Sequence, residues 1–255
     1  MVFKCYSDIY GNVVLKLGNI SSKEIITEYN TLFEYAGRKF CKVYAADIEN
    51  RVILEEYIRP GNPLNEENSL EKRLSVFTSL YKDLHIKSAK EERYPTYLQW
   101  VKRITQYMSK REDYKDLYLY MKKAEEICLN LSSLYPRRML LHGDFHHENI
   151  LLANDGEYRI IDPKGVIGDP VFDIPRFILN EFDNVQSLQT YKKIQKVIRI
   201  LGEILDIPEP ILKQCFFVET AMGACWCVED DEYEDHLKDV IFAEEIMNGG
   251  SFSNL

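Results

Sequence analysis

The chain has 255 residues, 45% of them hydrophobic and 29% charged. That composition excludes a disordered tail, a collagen-like chain and a disulfide-stapled miniprotein. Acidic residues outnumber basic ones by 41 to 32, and the net charge of −9 disfavours nucleic acid or an anionic membrane as the main partner and suits a cationic small molecule. No apolar run approaches the ~18 residues of a membrane span, the first residues lack a secretory leader's apolar core, and the six cysteines follow neither CxxC spacing nor a disulfide framework. The expectation is a reduced, soluble, cytoplasmic protein, with buried structural thiols at Cys225 and Cys227.

The first sixty residues read as strands and turns with one helix inserted. Residues 2–7 and 12–17 flank Asp8-Ile9-Tyr10-Gly11, which predicts a hairpin. Ser21 and Glu24 stand in capping-box spacing, and Ile25, Tyr29, Leu32 and Phe33 recur at helical intervals until Gly37. Strands are expected at 42–47 and 51–57. Pro60-Gly61-Asn62-Pro63 reads as a break and a lobe boundary, dividing the chain into residues 1–59 and 60–255. Helical periodicity follows at 70–84, 97–108 and 114–134. Short strands are expected at 139–141, 150–152 and 158–161, around a polar loop and an Asn154-Asp155-Gly156-Glu157 turn. Helices return at 191–205, 208–229 and 232–247.

The densest polar cluster is His142-Gly143-Asp144-Phe145-His146-His147-Glu148-Asn149, and Ile160-Ile161-Asp162-Pro163-Lys164-Gly165 begins after the next hairpin. Phosphoryl transfer uses such a set: an aspartate, Asp144, orients a hydroxyl and accepts its proton. Mg²⁺ takes hard oxygen ligands, here Asn149 and Asp162. Lys16, closing the strand of 12–17, is placed to grip nucleotide phosphates. Glu28, twelve residues on, is its candidate ion-pair partner, with Glu24 a turn earlier as competitor. The stretch 53–58, with Glu56 and Ile58 as candidate nucleotide contacts, runs into Pro60 as a nucleotide-binding hinge would.

Leu140 to Leu151 (LLHGDFHHENIL), Ile161-Asp162-Pro163-Lys164-Gly165 and Gly168-Asp169-Pro170 together resemble the aminoglycoside phosphotransferases. The chain is most similar to their streptomycin and hydroxyurea phosphotransferase branch, which shares the double histidine, the DPKG in place of the kinase DFG, and the following G-D/E-P. The Pro-Gly-x-Pro-Leu at 60–64 and the Trp226-x-x-Glu229 spacing fit the same branch. The resemblance runs from residue 13 to about 230. It implies an α+β, two-lobed protein-kinase-like fold with a small β-rich N-lobe and a larger helical C-lobe. It also implies ATP and Mg²⁺ as cofactors and transfer of the γ-phosphoryl group to a hydroxyl of a small, cationic, streptomycin-type acceptor, as in antibiotic resistance. Family members carry a further strand and a phosphate-covering loop ahead of the lysine strand. Fifteen residues precede Lys16 here, so the expectation is a shortened N-lobe.

His147, Lys164, Trp226, Glu229 and Asp230 are the candidate acceptor contacts. Each has a plainer reading: surface exposure for His147, a structural ion pair for Lys164, a solvated connection into a helix start for the acidic run at 229–235. Asp169 and Asp173 read first as structural caps. A metabolite kinase for a choline-, sugar- or amine-like acceptor, and a pseudokinase-like binding protein, are the alternative functions.

Overall fold

The computed structural model describes residues 1–19, 22–182, 186–231 and 236–249. Their contacts divide the chain into two compact units, residues 1–95 with 138–167 and residues 96–137 with 168–255.

In the first unit, β1 (Val2–Ser7) and β2 (Gly11–Leu17) form the expected hairpin. The helix α1 (Glu24–Tyr35) begins two residues later than the capping box requires. Lys23 is its N-cap and supplies no side-chain bond; Ser21 lies outside the described residues, and Ser22 Oγ instead accepts from Glu24 N at 3.1 Å. Ala36 and Gly37, both at positive φ, end the helix in the left-handed region that a following glycine tolerates. Strands β3 (Val43–Asp47) and β4 (Val52–Glu56) complete a four-stranded antiparallel sheet in the order β1-β2-β4-β3.

Residues 60–63 depart from expectation. The segment is not a break but a short strand, β5 (Pro60–Pro63). It is an edge strand held to its neighbour only at Pro60↔Ala153 and Pro63↔Leu151, the one sheet position where missing N–H donors are tolerated. The helix α2 (Leu70–Lys82) follows, capped by Ser69, whose side chain accepts from Lys72 N. After residue 138 come β6 (Met139–Leu141), β7 (Ile150–Ala153), β8 (Tyr158–Ile160) and β9 (Val166–Gly168). They form the sheets β5-β7-β8 and β6-β9. Strand β9, three residues in Val-Ile-Gly, was too short to show in the pattern. The core of this unit includes Leu32, Tyr35, Phe40, Ile53, Phe77, Leu140, Phe145 and Ile160. Tyr35 and Phe40 stack at 4.2 Å, and Tyr35 also donates its buried hydroxyl to Leu140 O at 3.0 Å.

The second unit is helical: α3 (Tyr97–Met108), α4 (Lys115–Leu134), α5 (Pro175–Leu179), α6 (Leu188–Leu205), α7 (Glu209–Glu229) and α8 (Leu237–Asn248). A full capping box of Thr96 and Gln99 starts α3. The short α5 was not expected, and α8 begins five residues after the predicted start; residues 232–235 lie outside the described set. Among the described residues α7 is the one helix long and apolar enough to cross a membrane by length and composition, although Lys213 and Glu219 interrupt its apolar residues. Yet 67% of its apolar stretch is buried, with Phe216, Phe217, Val218, Ala221, Met222 and Cys225 against α3, α4, α5 and α8. A helix apolar on all sides belongs in a core. The six cysteines are free thiols.

Candidate active site

Lys16 stands on β2 opposite Ile53 of β4, and Val14 opposite Glu55. Residues two apart on a strand share a face, so Lys16 and Glu55 are diagonal neighbours on one side of the sheet. Lys16 is only 6% exposed. An isolated ammonium there would be costly, and its environment supplies three carboxylates: Glu28 of α1, Asp162 after β8, and Glu55 Oε2 at 3.3 Å. The contacts with Glu28 and Asp162 are the tighter two. Burial works against the charged lysine, but Glu28, Glu55 and Asp162 outweigh it and hold its pKa well above the ordinary value. Burial pushes Glu28 up to about 8 against the pull of Lys16, and raises Glu55 in the same way. Asp162 also feels burial, yet Lys16 and then Lys164 lower it below the ordinary carboxylate range.

The loop carrying Asp144 is set by backbone bonds. His142 is fully buried. Its Nδ1 accepts from Asp144 N at 3.1 Å, so Nε2 carries the proton and donates to Ile161 O at 2.8 Å. With both ring nitrogens engaged, His142 is a brace between the Asp144 and Asp162 segments rather than a metal ligand. Lys164 N and Gly165 N both donate to His142 O, and Ile161 N donates to Asn149 O at 3.0 Å. Asn149 Nδ2 donates to Asp144 O at 2.9 Å, so Oδ1 is the atom of this side chain that could hold a cation. Asp162 adopts φ +58, a left-handed conformation costing a non-glycine residue about 1–2 kcal/mol; such strain is retained where surrounding structure enforces it. Gly165, at φ +70, admits nothing larger, because a Cβ there would lie 2.2 Å from Thr31 Oγ1 and 3.0 Å from Thr27 O. The DPKG turn therefore lies directly on α1, the helix that carries Glu28.

The other expected positions are distributed as follows. The pairing of Lys16 with Glu28, rather than with Glu24, is formed. Glu56 is held by Lys42, the residue before β3, its carboxylate accepting from Lys42 N at 3.1 Å and its N–H donating to Lys42 O; Ile58 is buried. His147 is 1% exposed, which removes the surface reading. His146 is the histidine beside Asp144, Nε2 to Oδ1 3.6 Å. In the helical unit, Trp226 packs edge-on to Trp100 under the Arg176 guanidinium. Glu229 ends α7 in a two-bonded pair with Arg103, at 2.5 and 2.9 Å, and Asp230 is the exposed C-cap. The described part of the acidic run thus closes the C-terminus of α7; its remainder, residues 232–235, lies outside the described residues. Asp169 caps residues 170–173 through Val171 N and holds Arg137 with two bonds, the structural role expected of it. Glu55 is the contact the motifs missed. The available signal was strand alternation, which puts Glu55 on the face of Ile53 and Lys16.

The family of aminoglycoside/hydroxyurea antibiotic resistance kinases matches residues 12–231. The chain belongs to this family. Among curated relatives of these kinases, streptomycin 6-kinase of Streptomyces glaucescens is 25% identical over 96 residues, 37% of this chain and 31% of that protein. Streptomycin 3''-kinase of Klebsiella pneumoniae is 34% identical over 70 residues, 24% of this chain and 26% of that protein. The matched stretches thus span a third or less of those relatives. Two solved structures share the fold: choline kinase LicA from Streptococcus pneumoniae (TM-score 0.71, 16% identity, 97% of this chain and 90% of that one), and a thermostable mutant of aminoglycoside phosphotransferase APH(4)-Ia (TM-score 0.65, 13% identity, 95% and 88%). The α+β kinase-like fold expected from the motifs is the fold observed.

Proposed function

We propose that this antibiotic resistance kinase transfers the γ-phosphoryl group of ATP to a hydroxyl of a small molecule, with a streptomycin-type aminoglycoside as the leading acceptor. The observation that carries this reading is the meeting of Lys16 with Glu28 and with Asp162, 146 residues away in sequence, beside a loop braced around Asp144 and Asn149. In this reading residues 1–59 hold the nucleotide through Lys16 and the hinge, and residues 60–255 supply the catalytic loop and the acceptor site. The free thiols fit work in a reducing cytoplasm.

The residues present fit Mg²⁺. One lysine faces three carboxylates, a formal surplus of two negative charges, and the donors on offer are hard oxygens. Asp162 and Asn149 Oδ1 would hold the ion, which when bound neutralises charge on the phosphate oxygens. Asp144 then orients the acceptor hydroxyl and takes its proton. Lys16 holds phosphate oxygens, with Glu28 fixing its position. Lys164 and His147 flank the transferred group, and Trp226, Glu229 and Asp230 belong to the acceptor side.

The relatives' names supply the acceptor class: streptomycin in the curated kinases, hygromycin B with a nucleotide analogue in one structural neighbour. A choline kinase of the same fold keeps a small amine as the second acceptor class. The test is acceptor-dependent ADP release with streptomycin, hygromycin B, hydroxyurea, choline and ethanolamine. Release with an aminoglycoside supports the leading reading, release with choline or ethanolamine the second. A protein that binds ATP yet phosphorylates none of them is the pseudokinase-like alternative.

A further inference from the structure

We propose that Glu55 is a second positioning residue for Lys16, a strand-borne carboxylate that works beside helix-borne Glu28; the proposal rests on the phosphoryl-transfer reading. Glu55 is 2% exposed, and a carboxylate so placed is strongly disfavoured unless it is paired. Its oxygen Oε2 meets the Lys16 ammonium at 3.3 Å and the Cys41 thiol at 4.0 Å. A lysine kept only for structure needs one counter-ion. Lys16 has two buried ones before Asp162 is counted.

An ammonium has three N–H donors and no acceptor. Here the three face Glu28, Glu55 and Asp162. The first two carboxylates are buried, with side chains 15% and 3% exposed, whereas that of Asp162 is 40% exposed. The exchangeable position is therefore the one Asp162 fills. When Asp162 turns to a cation, a phosphate oxygen replaces it on the third donor, while Glu28 and Glu55 keep the other two. Because one anchor comes from α1 and the other from the neighbouring strand β4, the direction of the third N–H is set by two independent elements. One glutamate alone would leave the ammonium free to swing about a single contact.

The experiment compares wild type, Glu55→Gln and Glu55→Asp, each checked for a cooperative urea transition. Equilibrium affinities are measured for MgATP by calorimetry and for adenosine by saturation-transfer NMR. Losing one charge-assisted partner of the phosphate-binding lysine should weaken MgATP binding about tenfold and leave adenosine within about twofold, because adenosine has no phosphate for Lys16 to hold. In turnover, the ATP KM should rise more than kcat falls, and Glu55→Asp, with its charge kept on a shorter arm, should lie between. MgATP affinity unchanged in Glu55→Gln overturns the proposal. So does a parallel loss of ATP and adenosine, which marks Glu55 as structural only; should Glu55→Gln not fold, the same criteria apply to Glu55→Asp. Wild type that binds neither ligand overturns the nucleotide reading itself, an outcome distinct from both.

Discussion

Two cations paired with buried carboxylates are treated differently in this molecule. In the helical unit, Arg176 meets the Glu219 carboxylate at 3.2 Å. The other oxygen of Glu219 accepts from the Tyr97 hydroxyl at 2.5 Å, and the guanidinium lies over the Trp226 ring. A guanidinium, a carboxylate, a phenol and an indole ring thus meet in one network. In the first unit, Lys16 faces three carboxylates. The first network joins helices of one unit through a cation, a buried carboxylate and two aromatic side chains, whereas a surplus of carboxylates around one lysine calls for a further cation or a proton. On the reading proposed above, the first serves stability and the second function.

The largest expected effect breaks the functional side of the comparison. Asp144→Ala should lower transfer by about 10²–10⁴ with MgATP affinity nearly unchanged, since Asp144 serves the acceptor. Steady-state turnover on a confirmed substrate checks this, and near-normal rates in the variant would refute the assignment. On the stability side, Glu219→Ala leaves Arg176 and Tyr97 without their buried partner, and urea unfolding should show a loss of about 3–5 kcal/mol. The same measurement on Glu28→Gln should show a change within about 1 kcal/mol, or a gain, because it relieves like-charge repulsion. Equal losses in the two variants would erase the distinction.

A smaller effect is visible in pH dependence. The Glu28 carboxyl, pushed by burial from the ordinary 4.5 up to about 8, binds more proton in the folded than in the unfolded chain between those values. Nucleotide-free stability should therefore fall as pH rises through that window. Glu28→Gln should flatten the slope, measured as the difference in urea midpoint between pH 5 and pH 8. An unchanged slope would show that Glu28 is not the group being titrated. The smallest effect belongs to the half-exposed Arg103–Glu229 pair, where Glu229→Gln should shift stability by less than about 1 kcal/mol. As a candidate acceptor contact, Glu229 together with Asp230 should raise the acceptor KM more than it lowers kcat when both are neutralised, and salt should shrink the change. An unchanged KM at low salt would leave Glu229 as the partner of Arg103 only.

The candidate catalytic loop was legible because its residues are neighbours in sequence. Asp144, Asn149 and Asp162 sit at spacings that only a hairpin brings together, and Lys16 and Glu28 stand one strand-to-helix connection apart. The long amphipathic helices were legible from periodicity. What stayed hidden depends on tertiary pairing. A Pro-Gly-x-Pro stretch reads as punctuation, and only the partner strand β7 makes it β5. Glu55 looks like one of two adjacent acids; strand alternation puts it on the face of Ile53, but only the pairing of β4 with β2 brings Lys16 to that face. The helix ending at Glu229 was expected, but not that Arg103, 126 residues away, pairs with that last carboxylate.

The central claim is that the carboxylate surplus around Lys16 serves a magnesium-bound nucleotide. Calorimetric titration of ATP into wild type, Asp162→Asn and Asp144→Ala, each with Mg²⁺ and with EDTA, tests it most directly. The account predicts binding that requires Mg²⁺, is severely weakened in Asp162→Asn and survives in Asp144→Ala. No ATP binding by the wild type, or binding indifferent to both Mg²⁺ and Asp162, would contradict it.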